Sequence, residues 1–288
     1  MSSELNPLQD EVEEKGYLDS EMASAIFEKS NTLGLYAMNV PSEFGGAGLS
    51  ALETMMVEEH FGHTIDILAR RAFRNVYEVH FGCDEAQRDR WLYPCVSGDR
   101  TVSIAITEPE AGSDARAITT KAQKDGSGWL LNGRKHLISD GLFSDFFVVS
   151  AVTDLSTGGR SISLFLVDKE SPGVVAARDQ NMMGLKGTSH VELFFDDVHL
   201  DADSLIGELE SGMRQIRTTL GRVCLAQVGA RSVGKSAQIM DLAVDYARTR
   251  KRFGKSIGEF QMIQSMIALD TMKLGSGLYD TTSSGGWS

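Results

Sequence analysis

Apolar residues recur three and four positions apart through Met22–Leu33, Ala51–Phe61 and Ile67–Phe81, which predicts three helices in the first hundred residues. Pro41, Gly45, Gly46 and Gly48 separate the first from the second. Near Thr101 the period changes to two. Strands are predicted at Thr101–Ile106, Ile118–Lys124, Trp129–Ile138, Phe146–Val152, Ser161–Val167 and Val191–Phe195. Asp125-Gly126, Asn132-Gly133 and Gly158-Gly159 supply turns between them. From Gly212 the helical period returns. The pattern predicts an α+β chain in three parts: an N-terminal helical domain over 1–100, a middle antiparallel β-barrel or sandwich over 101–203, and C-terminal helices over 204–288.

The P-loop pattern G-x-x-x-x-G-K-[ST] occurs at Gly229–Ser236, G-A-R-S-V-G-K-S, and would make the chain a nucleotide hydrolase. Periodicity opposes it. Apolar or small residues fall at 216, 220, 223, 226, 230, 233, 237, 240, 244 and 247, a single helical stripe that a phosphate loop would interrupt. Lys235 is therefore expected on a helix surface.

Composition narrows the partners. The net charge of −12 over 288 residues disfavours nucleic acid and anionic membranes as main partners. Cys83, Cys95 and Cys224 form no C-x-x-C pair, so neither a disulfide framework nor a zinc site is expected. The N-terminus is acidic and no apolar run reaches the ~18 residues of a membrane span, which reads as a cytoplasmic chain. His60 and His63 sit beside Glu58 and Glu59 without a third metal ligand. His80, His136, His190 and His199 have no Ser elbow or Cys partner, and G-x-S-x-G is absent. Arg248, Arg250, Lys251, Arg252 and Lys255 cluster near a predicted helix end, which suits either the helix dipole or a pyrophosphate.

The segment Ile104–Asp114, I-A-I-T-E-P-E-A-G-S-D, reads as strand and then glycine-bearing loop. Such a loop exposes backbone N–H groups, and Gly112 lets a flat or anionic ligand approach. T-E-P-x-A-G-S-D resembles the flavin-binding signature of the acyl-CoA dehydrogenase family. Four more segments resemble that family in order: Val40–Gly62, Gly133–Gly141, Met183–Gly207 and Tyr246–Gln261, the last carrying R-x-x-F-G-K-x-I-x-x-F-Q. Together they span about Asp19 to Asp270.

The resemblance implies an FAD enzyme that oxidises the Cα–Cβ bond of an acyl-CoA and passes electrons to an electron-transfer flavoprotein or another acceptor. It implies a homo-oligomer, usually a tetramer. Its cofactor contacts carry over onto Ile104, Ile106, Thr107, Gly112 and Ser113, whose N–H groups would face the flavin pyrimidine and the pyrophosphate. Ser113 would also approach the acyl-CoA. Leu137, Ile138 and Ser139 match the ring-contacting triplet, with Ser139 at flavin N5 and Leu137 where Trp is usual. Arg250, Phe253 and Gln261 match positions that reach the FAD of a neighbouring subunit. Arg222 matches a CoA contact, although its spacing to Gly234 is longer than usual.

In most members the base is a Glu of the C-terminal bundle, expected beyond Ser288. A minority place it before the Arg, where this chain has Gly221. After a helix to about Lys273 the chain is polar and glycine-rich, and the family's last helices are absent. The expectation is thus a C-terminally truncated member with impaired turnover. The rival readings are a non-catalytic flavin or acyl-CoA binding protein and a P-loop hydrolase.

Overall fold

The computed structural model describes residues 4–73, 76–154, 161–219 and 225–284. The chain opens with helices α1 (Asn6–Lys15), α2 (Ser20–Thr32), α3 (Ala51–Phe61), α4 (Asp66–Phe73), α5 (Glu85–Gln87) and α6 (Tyr93–Ser97), a π turn over Arg88–Leu92 joining the last two. Local chemistry sets the starts. The Asp19 carboxylate accepts the Met22 N–H ahead of α2, and Ser50 with Glu53 forms a capping box ahead of α3.

The helix expected over Ile67–Phe81 is not continuous. α4 ends at Phe73, and a 3-10 turn follows at Glu78–Gly82. Tertiary donors take carbonyls there: the Ser30 hydroxyl bonds Ala72 O, and Asn39 Nδ2 bonds Val76 O at 3.0 Å. Tyr77 is extended, at φ −81° and ψ 142°.

The middle part holds β1 (Val102–Ala105), β2 (Lys121–Asp125), β3 (Gly128–Ser139), β4 (Phe146–Asp154), β5 (Ser161–Asp168), β6 (Val174–Asp179), β7 (His190–Leu200) and β8 (Leu205–Ile206). They form one sheet in the order β6-β7-β3-β2-β4-β5-β8, with β1 against β4. This corrects the expected antiparallel barrel or sandwich. The sheet is mixed, since β1 and β4 run parallel, and it does not close. Its two antiparallel halves meet through one parallel pair, Lys121 with Val152, and β6 and β8 remain as unpaired ends. β6 itself had no clear alternation in the sequence.

Strand β4 is buried on both faces, as its unbroken apolar run implies. Phe146 and Val148 pack toward the helices with Trp91 and Leu92. Phe147, Val149 and Ala151 pack with Trp129, Leu131 and Leu193 on the other side.

The chain continues as α7 (Gly212–Thr218), α8 (Leu225–Thr249), the hairpin β9 (Lys251–Arg252) with β10 (Lys255–Ser256), and α9 (Gln261–Ser284). α9 continues past Lys273, where the sequence reading ended it. α8 runs unbroken through Gly229–Ser236, so the P-loop match is helix interior. It crosses α3 closely: a Cβ at Gly234 would lie 1.8 Å from Glu59 O, and one at Gly62 would lie 2.3 Å from Arg231 O. Among the described residues no helix is long and apolar enough to cross a membrane.

Candidate functional site

β1 delivers the chain into a tight turn. Glu108 N donates to Ala111 O at 3.0 Å, and Ala111 N returns a bond to Glu108 O at 3.1 Å. The Glu108 side chain points inward and accepts from Thr119 N (2.7 Å), Thr119 Oγ1 (2.8 Å) and Thr120 N (3.1 Å). Lys135 of β3 meets it from below. Its Nζ donates to Glu108 Oε1 at 2.8 Å, and to Ile106 O and Ser150 Oγ, both at 3.1 Å. His136 N adds a bond to Thr107 O at 2.8 Å. The loop and the strand, 27 residues apart in sequence, are thereby stitched together.

Both charged groups are out of water. Burial pushes the Glu108 carboxyl up, but the Lys135 ammonium and the Thr119 and Thr120 donors overcome this and hold it down at about 2. Burial pulls the Lys135 ammonium down to about 8, with Glu108 offsetting part of the loss. The pair is ionised at neutral pH.

Immediately after Lys135 the β3–β7 register shifts. Leu137 takes φ 56° and stands 43% exposed, Ile138 is buried, and Ser139 is half-buried opposite His190. The irregularity lifts Leu137 off the sheet. The Ser139 carbonyl accepts from Ser103 Oγ at 2.6 Å, whereas the Ser139 hydroxyl bonds no described residue. Asp140, at φ 58°, hydrogen-bonds Ser189 O through its N–H at 2.7 Å.

The loop keeps donors in reserve. The N–H groups of Thr107, Gly112 and Ser113 make no hydrogen bond to any described residue. A Cβ at Gly112 would meet nothing of the chain within 4 Å, so protein packing alone does not call for glycine there. Ile104 and Ile106 turn their side chains toward the helical core and leave only backbone to a ligand.

The structure therefore ties the end of β1 and Thr107 to β3, through Ser103 with Ser139, Ile106 with Lys135 and Thr107 with His136; Gly112 and Ser113 follow on the same loop. It does not bring in Arg250, Phe253 or Gln261. These are exposed around the β9–β10 hairpin, Phe253 at 94%, and no hydrogen bond among the described residues ties them to the loop. Gly221 and Arg222 lie outside the described residues. His63 bonds Gln238 at 3.0 Å and His136 bonds Glu192 at 2.9 Å.

Sequence reasoning missed Glu108 and Lys135. Parity could have found the lysine: in β3 the inward positions run Trp129, Leu131 and then Lys135, a charge on the buried register.

Models of three acyl-CoA dehydrogenase domains match the chain: the N-terminal domain at residues 1–99, the middle domain at 103–198 and the C-terminal domain at 210–274. A caffeyl-CoA reductase-Etf complex subunit from Acetobacterium woodii is 34% identical over 272 residues, covering 92% of this chain and 70% of that protein. An acyl-CoA dehydrogenase structure from Geobacillus kaustophilus superimposes with a TM-score of 0.88 at 27% identity, covering 98% of this chain and 74% of the other. A Bacillus anthracis acyl-CoA dehydrogenase complexed with FAD gives 0.87 at 25% identity, covering 98% and 48%. The matches run in order through the helical, sheet and second helical parts, and the chain belongs to the acyl-CoA dehydrogenase family of oxidoreductases.

Proposed function

We propose that this chain holds FAD and serves the α,β-dehydrogenation of an acyl-CoA thioester. The observation that carries the reading is the junction of the Thr107–Ser113 loop with the Leu137–Ser139 strand, unspent donors on the first and an unspent hydroxyl on the second. The spare N–H groups suit the carbonyls of the flavin pyrimidine and the anionic pyrophosphate. Leu137 offers an apolar face to the ring, and Ser139 offers a donor toward N5. Ser113, exposed at the loop tip, is placed toward the acyl-CoA. Bound FAD would supply the electron sink for the hydride leaving Cβ as the α proton is removed. The buried Glu108–Lys135 pair holds the loop still, so that its donors need no rearrangement on binding.

Arg250, Phe253 and Gln261 are assigned to the cofactor of a second copy. Phe253 stands 94% exposed on the hairpin tip. The exposed apolar residues Ile239, Leu242 and Tyr246 of α8 support the same assembly. Arg222 is kept as a CoA contact by resemblance, and an electron-transfer flavoprotein or another acceptor as the electron partner.

The test is anaerobic titration of the FAD-loaded chain with acyl-CoAs of graded length. Saturable loss of the oxidised flavin absorbance supports dehydrogenation. Tight FAD with no response to any acyl-CoA would leave a binding protein instead.

A further inference from the structure

A line of alternating charges crosses the molecule beside this site. Glu58 on α3 meets Arg231 on α8, Oε2 to Nη2 at 2.5 Å and to Nε at 2.9 Å. Arg231 Nη1 reaches Asp66 Oδ1 at 3.2 Å. Asp66 Oδ2 accepts from Arg70 Nε at 2.6 Å, both on α4. Arg70 Nη1 then donates to Asp140 Oδ2 at 3.0 Å. Asp140 directly follows Ser139. Five side chains thus link α8 to the turn that ends the flavin-facing strand.

Of the helix-borne members of this line, Arg70 is the one that hydrogen-bonds the β-part among the described residues. Its guanidinium forks between two carboxylates, a geometry a lysine ammonium does not reproduce. Burial would lower its pKa, but Asp140 and Asp66 raise it overall, so it stays charged throughout. The turn it grips is under local constraint. Asp140 has φ 58°, its N–H is committed to Ser189, and its Oδ1 is buried without a hydrogen-bond partner among the described residues. Aspartate tolerates the left-handed region better than most residues, and here the Ser144 hydroxyl and the Phe143 N–H on the Asp140 carbonyl help to hold it. Among the described residues, Arg70 makes the side-chain hydrogen bond to the Asp140 carboxylate.

We propose that Arg70 is a positioning residue for the flavin: by holding Asp140 it fixes the turn that sets the direction of the Ser139 hydroxyl. The inference rests on the FAD reading above. Asp66 and Arg231 in turn hold the Arg70 fork, so the packing of α8 on α3 is felt at the strand end.

The experiment compares Arg70→Met, Arg70→Lys, Asp140→Asn and Arg231→Met in the full chain. Hydrogen exchange over 139–143 is measured in the apoprotein, and the visible circular dichroism of bound FAD in the loaded protein. Arg70→Met is expected to raise exchange at Asp140–Phe143 at least tenfold and to change the flavin dichroism, with Arg70→Lys restoring neither fully. Arg231→Met is expected to lower the melting temperature with a smaller effect at the turn. Asp140→Asn covers the case in which Arg70→Met does not fold, and it should show the same two changes. A variant that loses thermal stability while exchange at the turn and the dichroism stay as in the parent would overturn the proposal. Failure of the parent to bind FAD strikes the functional reading and the flavin role with it, whereas unchanged exchange in the Arg70→Met apoprotein strikes the hold of Arg70 on the turn whether or not FAD binds.

Discussion

Lys135 Nζ lies 2.8 Å from Glu108 Oε1, with both side chains withdrawn from solvent. The pair joins segments from either side of β2, and its other hydrogen bonds go to the backbone of Ile106, Thr119 and Thr120 and to the hydroxyls of Thr119 and Ser150. Removing one partner leaves a buried charge uncompensated. Lys135→Met or Glu108→Gln alone should cost about 3–5 kcal/mol in urea unfolding. The double variant should cost much less than the two single losses added together. Additive losses would mean that the two groups are not coupled as the geometry implies.

Acid stability should turn on His80. The ring is fully buried, its Nδ1 bonds Tyr77 O at 2.9 Å, and burial pushes its pKa down to about 4. The unfolded chain takes up a proton near pH 6.5, which the folded ring resists until about pH 4. His80 therefore contributes stability that is whole above pH 6.5 and drains away between 6.5 and 4, about 3 kcal/mol in all. Glu108, held at about 2, works lower: its contribution is present above pH 4.5 and is lost as pH falls toward 2. His80→Gln should flatten the unfolding free energy between pH 6.5 and 4.5 and leave the steeper fall below it. An unchanged slope in that variant would remove His80 as the cause.

Two glycines should respond differently. Gly234→Ala drives a Cβ into the Glu59 carbonyl, 1.8 Å away, and should cost about 1–3 kcal/mol or more as α8 backs off α3. Gly112→Ala meets no atom of the chain and should change stability within about 0.5 kcal/mol. Its effect is expected in FAD affinity, because the methyl occupies the approach reserved for the ligand. Equal FAD affinity in Gly112→Ala and the parent would speak against that approach.

Much of this was legible in the sequence. The helical stripe through Gly229–Ser236 identified α8 against a motif match, because one surface period outlasts one loop pattern. The alternation from Thr101 onward located most strands. Closure was not legible: strand periodicity carries no pairing, and the single Lys121–Val152 junction between the two halves leaves no mark on composition. The end of α4 was hidden for a similar reason, since it depends on Ser30 and Asn39, more than thirty residues upstream. At the site, the loop and triplet were readable as motifs, whereas Lys135, Arg70 and Asp140 act through partners from distant segments.

Lys235 is a minor structural residue. Its Nζ donates to Thr64 O at 2.9 Å past the end of α3. That is more than the free surface position expected from the helical stripe. Lys235→Ala should cost about 1 kcal/mol for the lost hydrogen bond and change no nucleotide binding. ATP binding that vanished in this variant would reinstate the phosphate-loop reading.

The central claim is that the Thr107–Ser113 loop and the Leu137–Ser139 strand together form an FAD site. Equilibrium titration of the purified chain with FAD, followed by thermal unfolding at rising FAD, tests it most directly. Saturable binding is predicted, with about 2.7 kcal/mol of added stability at a hundredfold excess over Kd, and with the affinity reduced in Ser139→Ala and Gly112→Ala. A folded chain whose melting temperature is indifferent to saturating FAD would contradict the account.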